Sequence, residues 1–466
     1  MKGDNTFKKN TLLLTAGIIF NKGLQFLVIP FFSHWLTTGE YGQFDLLCTY
    51  ISLLIPIISL STHEAVFRFN VEETDGNKRK ANITNCFIVY LLNLCIFLII
   101  SFFFVNKLTF TIYVCFIFYL AAELFSTYLR GYLRSIKRID FYSFSMVLTT
   151  ILMTLFVTGF VWICNWGLAG ILLGYAIGTF MGDILLCIWG KWTSMLRFRL
   201  CSVSNIRELV RYAIPLIPND ISWWVMNASD RQIINVFMGD IANGVYAIAY
   251  KIPALCQVIF NMFSISWQQE IVKKIELPDA NKFIKEVFND FLKILLTIGG
   301  GLMAGSFVLY YFIFDLKYFE AIYYSPILLS AAVLIAISQF LGGIQIALKR
   351  TFHNGISTVI GAICNVLVHI LLIGKMGLYA AAISTLVSNI IIVILRLFLL
   401  RKRIRIQIEK ESVFAIIAYT FFLFNAYFHE VLWRDICNLF LAVIVFGVLN
   451  KKWIYEIWDK IICAGK

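Results

Sequence analysis

Fourteen long apolar stretches, each nearly free of charged residues, follow one another along this sequence of 466 residues. A helix needs about 20 apolar residues to cross the hydrocarbon core of a bilayer. The stretches lie at 11–32, 44–66, 82–104, 110–129, 141–163, 168–190, 213–237, 244–267, 288–313, 325–348, 355–374, 378–399, 412–428 and 436–450. With their short connections they leave no room for a sizeable soluble catalytic domain. We therefore predict an all-α, polytopic integral membrane protein with about fourteen transmembrane helices.

The composition excludes a soluble protein. Hydrophobic residues make up 60% of the chain and charged residues only 14%, whereas soluble domains contain about 25% charged residues. The net charge is +13, but Lys and Arg concentrate in alternate connections, which indicates membrane topology rather than nucleic-acid binding. The eleven cysteines are scattered without a CxxC pair, so neither a zinc site nor a disulfide framework is indicated.

The distribution of basic residues predicts the orientation. With the N-terminus placed inside, 33 Lys and Arg belong to the cytoplasmic side and 4 to the outer side. Cytoplasmic connections carry the excess of Lys and Arg in membrane proteins. Both termini are therefore predicted to be cytoplasmic. The tail from 451 onward places its Trp and Ile residues on one helical face, as in a helix that lies in the membrane interface.

Two pairs of segments indicate an internal repeat. Gly42 in TTGEYGQFDL matches Gly244 in GDIANGVYAI at an offset of 202 residues, and Gly167 matches Gly377 in a second pair. The matched segments occur in the same order, six spans apart. We predict two six-helix lobes in parallel pseudo-repeat, 1–190 and 191–411, followed by two helices and a cytoplasmic amphipathic tail in 412–466. Parallel repeats of this kind are typical of transporters.

Span 7 carries a polar face along its length. At 100° per residue, five side chains fall within 80° of one another: Asp220, Trp224, Asn227, Arg231 and Asn235. Asp230 lies at the edge of this face. A charge at the centre of a span costs at least about 2.5 kcal/mol, so these residues need partners or a water-filled cavity.

Span 2 is predicted to carry a similar face. Six polar or kink-forming residues fall within about 40° of one another: Asp45, Thr49, Ser52, Pro56, Ser59 and His63. Contact with lipid does not explain such a face. Spans 1 and 8 also align polar residues, so equivalent helices of both lobes are predicted to line a central cavity.

Three basic residues inside spans indicate an anionic substrate. They are Lys22 near the midplane of span 1, Arg231 on span 7 and Lys251 on span 8. Together with Asn227 and Asp220 they form our predicted substrate-binding set, suited to a lipid diphosphate. Two structural alternatives remain: Arg231 pairs with Asp220 or Asp230 to fix helix packing, or Lys251 extends outward to the interface.

Four carboxylates inside spans are candidates for ion coupling: Asp45, Glu123, Asp183 and Asp230. Glu123 and Asp183 lie near the cytoplasmic ends of spans 4 and 6, where they could serve as proton or counter-ion sites. The sequence has no GxxxxGK[ST] loop, so nothing indicates direct coupling to ATP hydrolysis. No catalytic residue, metal site or cofactor is predicted.

Two motif-level windows resemble a known family. They are KNTLLLTAGIIFNKGLQFLVIPFFSHWLTTGEYGQFDL (9–46) and ASDRQIINVFMGDIANGVYAIAYKIPALCQVIFNMFSISWQQE (228–270). Both are similar to polysaccharide or oligosaccharide flippases of the multidrug/oligosaccharidyl-lipid/polysaccharide exporter superfamily, in which a DR pair, a glycine-bounded turn and an AYK-type segment recur. The resemblance implies a bacterial inner-membrane flippase that moves an undecaprenyl-diphosphate-linked oligosaccharide, of O-antigen or capsule type, to the periplasmic leaflet by alternating access. It also implies partners: membrane lipids and other polysaccharide-assembly proteins, but no nucleic acid.

Two other functions are alternatives to a flippase. A multidrug or organic-cation antiporter of the same superfamily requires carboxylates to dominate the cavity, whereas cations are found at the midplane and in the outer half. A membrane polysaccharide polymerase or ligase requires a large outer loop, and the longest predicted outer loop has about a dozen residues.

Overall fold

A computed structural model describes most of the chain. The described residues are 20–21, 23–24, 26, 28–103, 108–136, 138–404, 406–428, 432–451 and 453–455. They form helices and turns without any β-strand. The all-α prediction is therefore confirmed. Lys22 and most of the amphipathic tail lie outside the described residues.

The chain divides into two compact units, Met1–Arg231 and Gln232–Lys466. The first contains α1 (28–35), α2 (Thr38–Ser59), α3 (Thr62–Glu72), α4 (Gly76–Phe102), α5 (Phe110–Ser135), α6 (Ile139–Val157, extended by a π-helical segment Thr158–Ile163), α7 (Gly167–Trp189), α8 (Trp192–Met195), α9 (Val203–Ala213) and the start of α10 (Ile217–Ala249). The sequence-based lobe boundary at 190/191 differs from this division, because α9 and the start of α10 belong to the first unit.

The second unit contains the rest of α10 and eight further helices. They are α11 (Lys251–Lys274), α12 (Ala280–Ala304), α13 (Ser306–Phe312), α14 (Ala321–Ala347), α15 (Thr351–Met376), α16 (Leu378–Leu400), α17 (Lys410–Asn425) and α18 (Leu432–Leu449). Helix ends recur between the units at the predicted offset: α3 ends at Glu72 and α11 at Lys274, 202 residues later, and α4 and α12 end at Phe102 and Ala304.

Ten helical segments of the described residues are long and apolar enough to cross a membrane. The fourteen predicted spans map onto them as follows. Span 1 lies largely outside the described residues. Spans 7 and 8 contribute to one segment, Ala228–Val258. Spans 13 and 14 correspond to α17, with 16 residues, and α18, with 18 residues. The other nine spans and the merged segment make up the ten helical segments of the polytopic membrane fold that the sequence predicts.

Two local predictions on span 2 were wrong. Span 2 was predicted to begin at residue 44, whereas α2 begins at Thr38, after a reciprocal capping box in which the side chains of Thr37 and Glu40 each accept from the other residue's backbone N–H. Further on, Leu60 and Ser61 adopt left-handed φ values of 49° and 48°, which end α2 before α3 starts. His63 therefore lies on a different helix from Asp45. The spacing of 100° per residue, which placed both on one face, does not apply across the break between α2 and α3.

Close helix packing in the first unit depends on glycine. A Cβ atom on Gly178 of α7 would lie 2.5 Å from the backbone of Met153 on α6, and one on Gly174 would lie 2.6 Å from a Val157 methyl group. In a lipid environment, small residues at helix contacts allow the backbones to approach and gain dispersion energy. The chain thus obtains its α6–α7 contact without large side chains between the helices.

Candidate functional site

The polar face of α10 meets α2 inside the first unit. Arg231 Nε donates to Asp45 Oδ2 at 2.6 Å, and both side chains are largely buried, with 11% and 14% of their surface exposed. The sequence predicts Asp220 and Asp230 as the possible ion-pair partners of Arg231. The helix that supplies the carboxylate is α2.

Two further contacts extend this polar seam. Trp224 Nε1 donates to the backbone oxygen of Thr49 at 2.8 Å, and the Ser61 hydroxyl donates to Asp220 Oδ2 at 3.0 Å. Ser61 reaches Asp220 from the break between α2 and α3. Three members of the predicted face of span 7 therefore contact α2 or its end.

The other polar residues singled out on spans 7 and 8 are placed as follows. The side chain of Asn227 lies outside what the structure describes. Asp230 is buried, with 4% of its surface exposed. Lys251 is the first residue of α11 in the second unit and is half-buried. Asn235, also in the second unit, donates to Asp240 at 2.5 Å across the irregular residue Gly239.

Two of the predicted ion-coupling carboxylates lie on α5 and α7. Glu123 accepts from Arg130 Nη2 at 3.3 Å and from the Thr179 hydroxyl at 3.4 Å. Asp183, one turn beyond Thr179, is fully buried, and neither of its carboxylate oxygens has a hydrogen-bond partner among the described residues.

Arg130 is a site residue that the sequence reasoning missed. It was counted with a cytoplasmic loop, whereas it lies within α5 and also donates to Ser126 Oγ at 2.8 Å. The signal was present in the sequence, since residues 123 and 130 are seven apart, two helical turns on one face.

A small cavity adjoins this cluster. Its volume is about 80 Å³ and its lining residues are Asn21, Glu123, Arg130, Ser145, Met146, Thr149, Thr150 and Met153. Asn21 is fixed at its edge by accepting from the Thr150 hydroxyl at 3.0 Å. A space of this size holds a few water molecules or an ion, and it excludes a sugar.

A second buried arginine was also counted with the cytoplasmic basic residues. Arg396 lies in α16 with 6% of its surface exposed. Its guanidinium donates to Ser357 Oγ at 3.1 Å, to Thr358 Oγ1 at 2.9 Å and to the backbone oxygen of Ser338. Across the described residues, no cluster of three or more His, Cys, Asp or Glu is placed to hold a metal ion.

Comparison with known proteins gives a consistent result. A family model described as polysaccharide biosynthesis protein matches residues 7–267. The probable low-salt glycan biosynthesis flippase Agl15 of Haloferax volcanii is 21% identical over 453 residues, which cover 94% of this chain and 89% of that protein. The lipid II flippase MurJ in an inward closed conformation has a TM-score of 0.70 at 14% identity, covering 96% of this chain and 99% of its own. An inward-facing multidrug resistance transporter of the MATE family has a TM-score of 0.61 at 15% identity, covering 84% and 96%.

At these identities the solved structures establish the fold alone, whereas the family match covers more than half of the chain. The relatives are flippases and transporters, so the prediction that this chain is not an enzyme is confirmed. The predicted resemblance is confirmed as well. The chain belongs to the polysaccharide biosynthesis protein family.

Proposed function

We propose that this flippase moves an undecaprenyl-diphosphate-linked oligosaccharide, of O-antigen or capsule type, from the cytoplasmic to the periplasmic leaflet by alternating access. The names of two relatives support a lipid-linked glycan: one is a glycan biosynthesis flippase and the other a lipid II flippase. The observation that carries the proposal is the placement of Arg231, a largely buried cation whose charge is balanced by Asp45.

The physical argument concerns what can replace Asp45. A lone arginine in the hydrocarbon costs about 2.5–3.5 kcal/mol on insertion scales, so it is retained where it has an anionic partner. A phosphate presents the same geometry to guanidinium as a carboxylate does and carries more charge. A diphosphate that enters the seam therefore replaces Asp45 as the partner of Arg231, and the released Asp45 carboxylate takes up a proton or a small cation in exchange.

Lys22 and Lys251 are also proposed to contact the diphosphate, because both lie inside predicted spans. If both contact the same diphosphate in one conformational state, neutralising either impairs transport, and the two effects are less than additive. A double-mutant cycle with Lys22→Gln and Lys251→Gln in reconstituted protein measures this coupling. Strict additivity would remove the two lysines from the shared site.

The buried acids of the first unit favour a second candidate. Glu123, which lines a cavity of about 80 Å³, and the buried Asp183 suit a proton or a small cation. In the proposed flippase they couple transport to an ion gradient, together with Asp45 and Asp230. In a multidrug or organic-cation antiporter of the same superfamily, such acids would instead exchange an organic cation.

Transport by the purified full-length chain in liposomes separates the two functions. We expect an undecaprenyl-diphosphate-linked oligosaccharide placed in one leaflet to become accessible in the other, at a rate that unlabelled diphosphate-linked substrate reduces. Ethidium, an organic cation, serves as the matched probe for antiport. Ethidium exchange without movement of the lipid-linked sugar would reverse the assignment.

We also propose a bacterial inner-membrane location with both termini in the cytoplasm, which the excess of basic residues supports. In a cysteine-free background, Ser202→Cys is expected to resist a membrane-impermeant thiol reagent in intact cells. Lys375→Cys, exposed at the opposite predicted side, is expected to react. Labelling of Ser202→Cys from outside would reverse the topology.

A further inference from the structure

A strongly basic cavity lies at one end of the second unit, where α12 begins and α16 ends. Its volume is about 730 Å³, within the range of ligand pockets. Five of its seven lining residues are cations: Lys282, Lys285, Arg401, Lys402 and Arg403. No carboxylate belongs to the lining.

Few of these charges are balanced within the protein. Lys285 lies 3.5 Å from Glu409, while the other four have no carboxylate within ion-pair distance among the described residues. Arg401 instead stacks on the ring of Phe398, at 3.8 Å from the ring centroid. Several like charges around one concave space repel one another, and a bound anion relieves that repulsion.

One wall of the cavity is held in place by hydrogen bonds. Buried Asn289 of α12 donates to the backbone oxygen of Gln407 at 2.9 Å and accepts from the backbone N–H of Glu409 at 2.8 Å, which holds the 406–409 segment against the helix. The first turn of α12 supplies Asn281 and Lys282 to the lining, so the positive end of that helix dipole also faces the cavity.

The surroundings indicate a lipid rather than a soluble anion. The cavity lies where α12 begins and α16 ends, and both helices are long and apolar enough to span the membrane. Leu397 and Phe398, one turn before the basic run, expose 39% and 54% of their surface, and Ile408 beside Gln407 exposes 52%. Apolar residues next to a basic pocket suit a ligand with a charged headgroup and acyl chains.

We propose that this cavity binds the phosphate headgroup of an anionic membrane lipid, as a site separate from the one that transports the sugar-linked lipid. The lipid headgroup joins the start of α12 to the end of α16 and the segment that follows it. Occupancy stabilises the second unit and makes the protein dependent on anionic lipid.

The test measures binding of dioleoyl-phosphatidylglycerol to the purified full-length chain in dodecyl maltoside, with dioleoyl-phosphatidylcholine as the uncharged comparison. The variant is Arg401→Gln/Lys402→Gln/Arg403→Gln. Its matched control removes three exposed arginines from the first unit, Arg197→Gln/Arg199→Gln/Arg207→Gln. We expect the cavity variant to bind phosphatidylglycerol at least about tenfold more weakly, and the control to change less than about twofold.

If both triple variants bind phosphatidylglycerol equally weakly, the lipid is attracted to the overall positive charge of the protein and not to this cavity. That result would overturn the proposed site. Inorganic phosphate that competes with phosphatidylglycerol at equal concentration would overturn the lipid assignment in favour of a soluble anion. Should the triple variant fail to fold, Lys282→Gln on the opposite wall carries the same test, with several-fold weaker lipid binding expected and unchanged binding contradicting the proposal.

Discussion

Two buried arginines in this protein are stabilised in different ways. Arg231, at the end of the first unit, meets the carboxylate of Asp45 at 2.6 Å. Arg396, in the second unit, is surrounded by neutral oxygens on α14 and α15, with 6% of its surface exposed.

This difference distinguishes a contact that a substrate can replace, at Arg231, from a contact that holds helices together, at Arg396. Arg231 contacts a carboxylate, an anionic partner that another anion can displace. Arg396 uses hydroxyl and backbone oxygens of two neighbouring helices at once, so its guanidinium links α14, α15 and α16 into one block. We infer that the first arginine serves substrate and the second serves stability.

The largest expected effect is at Arg231. Arg231→Ala is expected to reduce transport about 100-fold, since a charge-assisted contact contributes roughly 3 kcal/mol. Arg231→Lys keeps the charge but loses bidentate contact, so it retains part of the activity. Transport in liposomes and the amount of protein in the membrane are measured together.

A neutral pair controls for the ion pair itself. Asp45→Asn/Arg231→Gln preserves a hydrogen bond between α2 and α10 without charge, so the protein is expected to fold and to remain inactive. Full transport by this pair would show that Arg231 is a packing residue, and the contrast with Arg396 would fail.

The next effect in size concerns Arg396. Arg396→Met is expected to lower the Tm of the detergent-solubilised protein by roughly 5 °C, because a buried link among three helices is lost. Transport per folded molecule stays close to wild type. Lys375→Met, at the exposed end of α15, is the control and is expected to leave the Tm unchanged. A transport defect without loss of stability would assign Arg396 to function.

The smallest effect tests the space around Arg396. A Cβ atom on Gly342 would lie 2.9 Å from Arg396 Nη1 and 2.9 Å from Asn354 Oδ1. Gly342→Ala is therefore expected to destabilise by about 1 kcal/mol, whereas Gly301→Ala, with nothing within 4 Å, is expected to be neutral or slightly stabilising. In the Arg396→Met background the penalty at Gly342 should shrink, because one of the two crowding groups is gone. A thermal-melting cycle that shows full additivity would argue against this contact.

Sequence reasoning predicted the fold well because bilayer thickness sets the length of each apolar stretch. It misplaced the start of α2, although Thr37 and Glu40 have the spacing of a capping box. The break at Leu60 and Ser61 was missed because neither residue is glycine or proline; the only local signal was Pro56, with Ser59 and Thr62 available to bond the freed backbone.

The candidate site was predicted in part for a related reason. Helical periodicity identified the face of span 7 that carries Asp220, Trp224 and Arg231. It could not identify the helix opposite, because the partner at Asp45 is 186 residues away in the sequence. The basic cavity escaped notice since its cations were read only as topology signals.

Gly239 has a consequence for the number of times the chain crosses the bilayer. An unbroken helix from Ile217 to Lys274 would be roughly 87 Å long, nearly three times the hydrocarbon thickness of about 30 Å. Gly239 adopts φ 83° and ψ −177°, a combination that is essentially confined to glycine. In the predicted topology, Gly239 therefore separates span 7 from span 8, and the side of the membrane on which every later connection emerges depends on that separation.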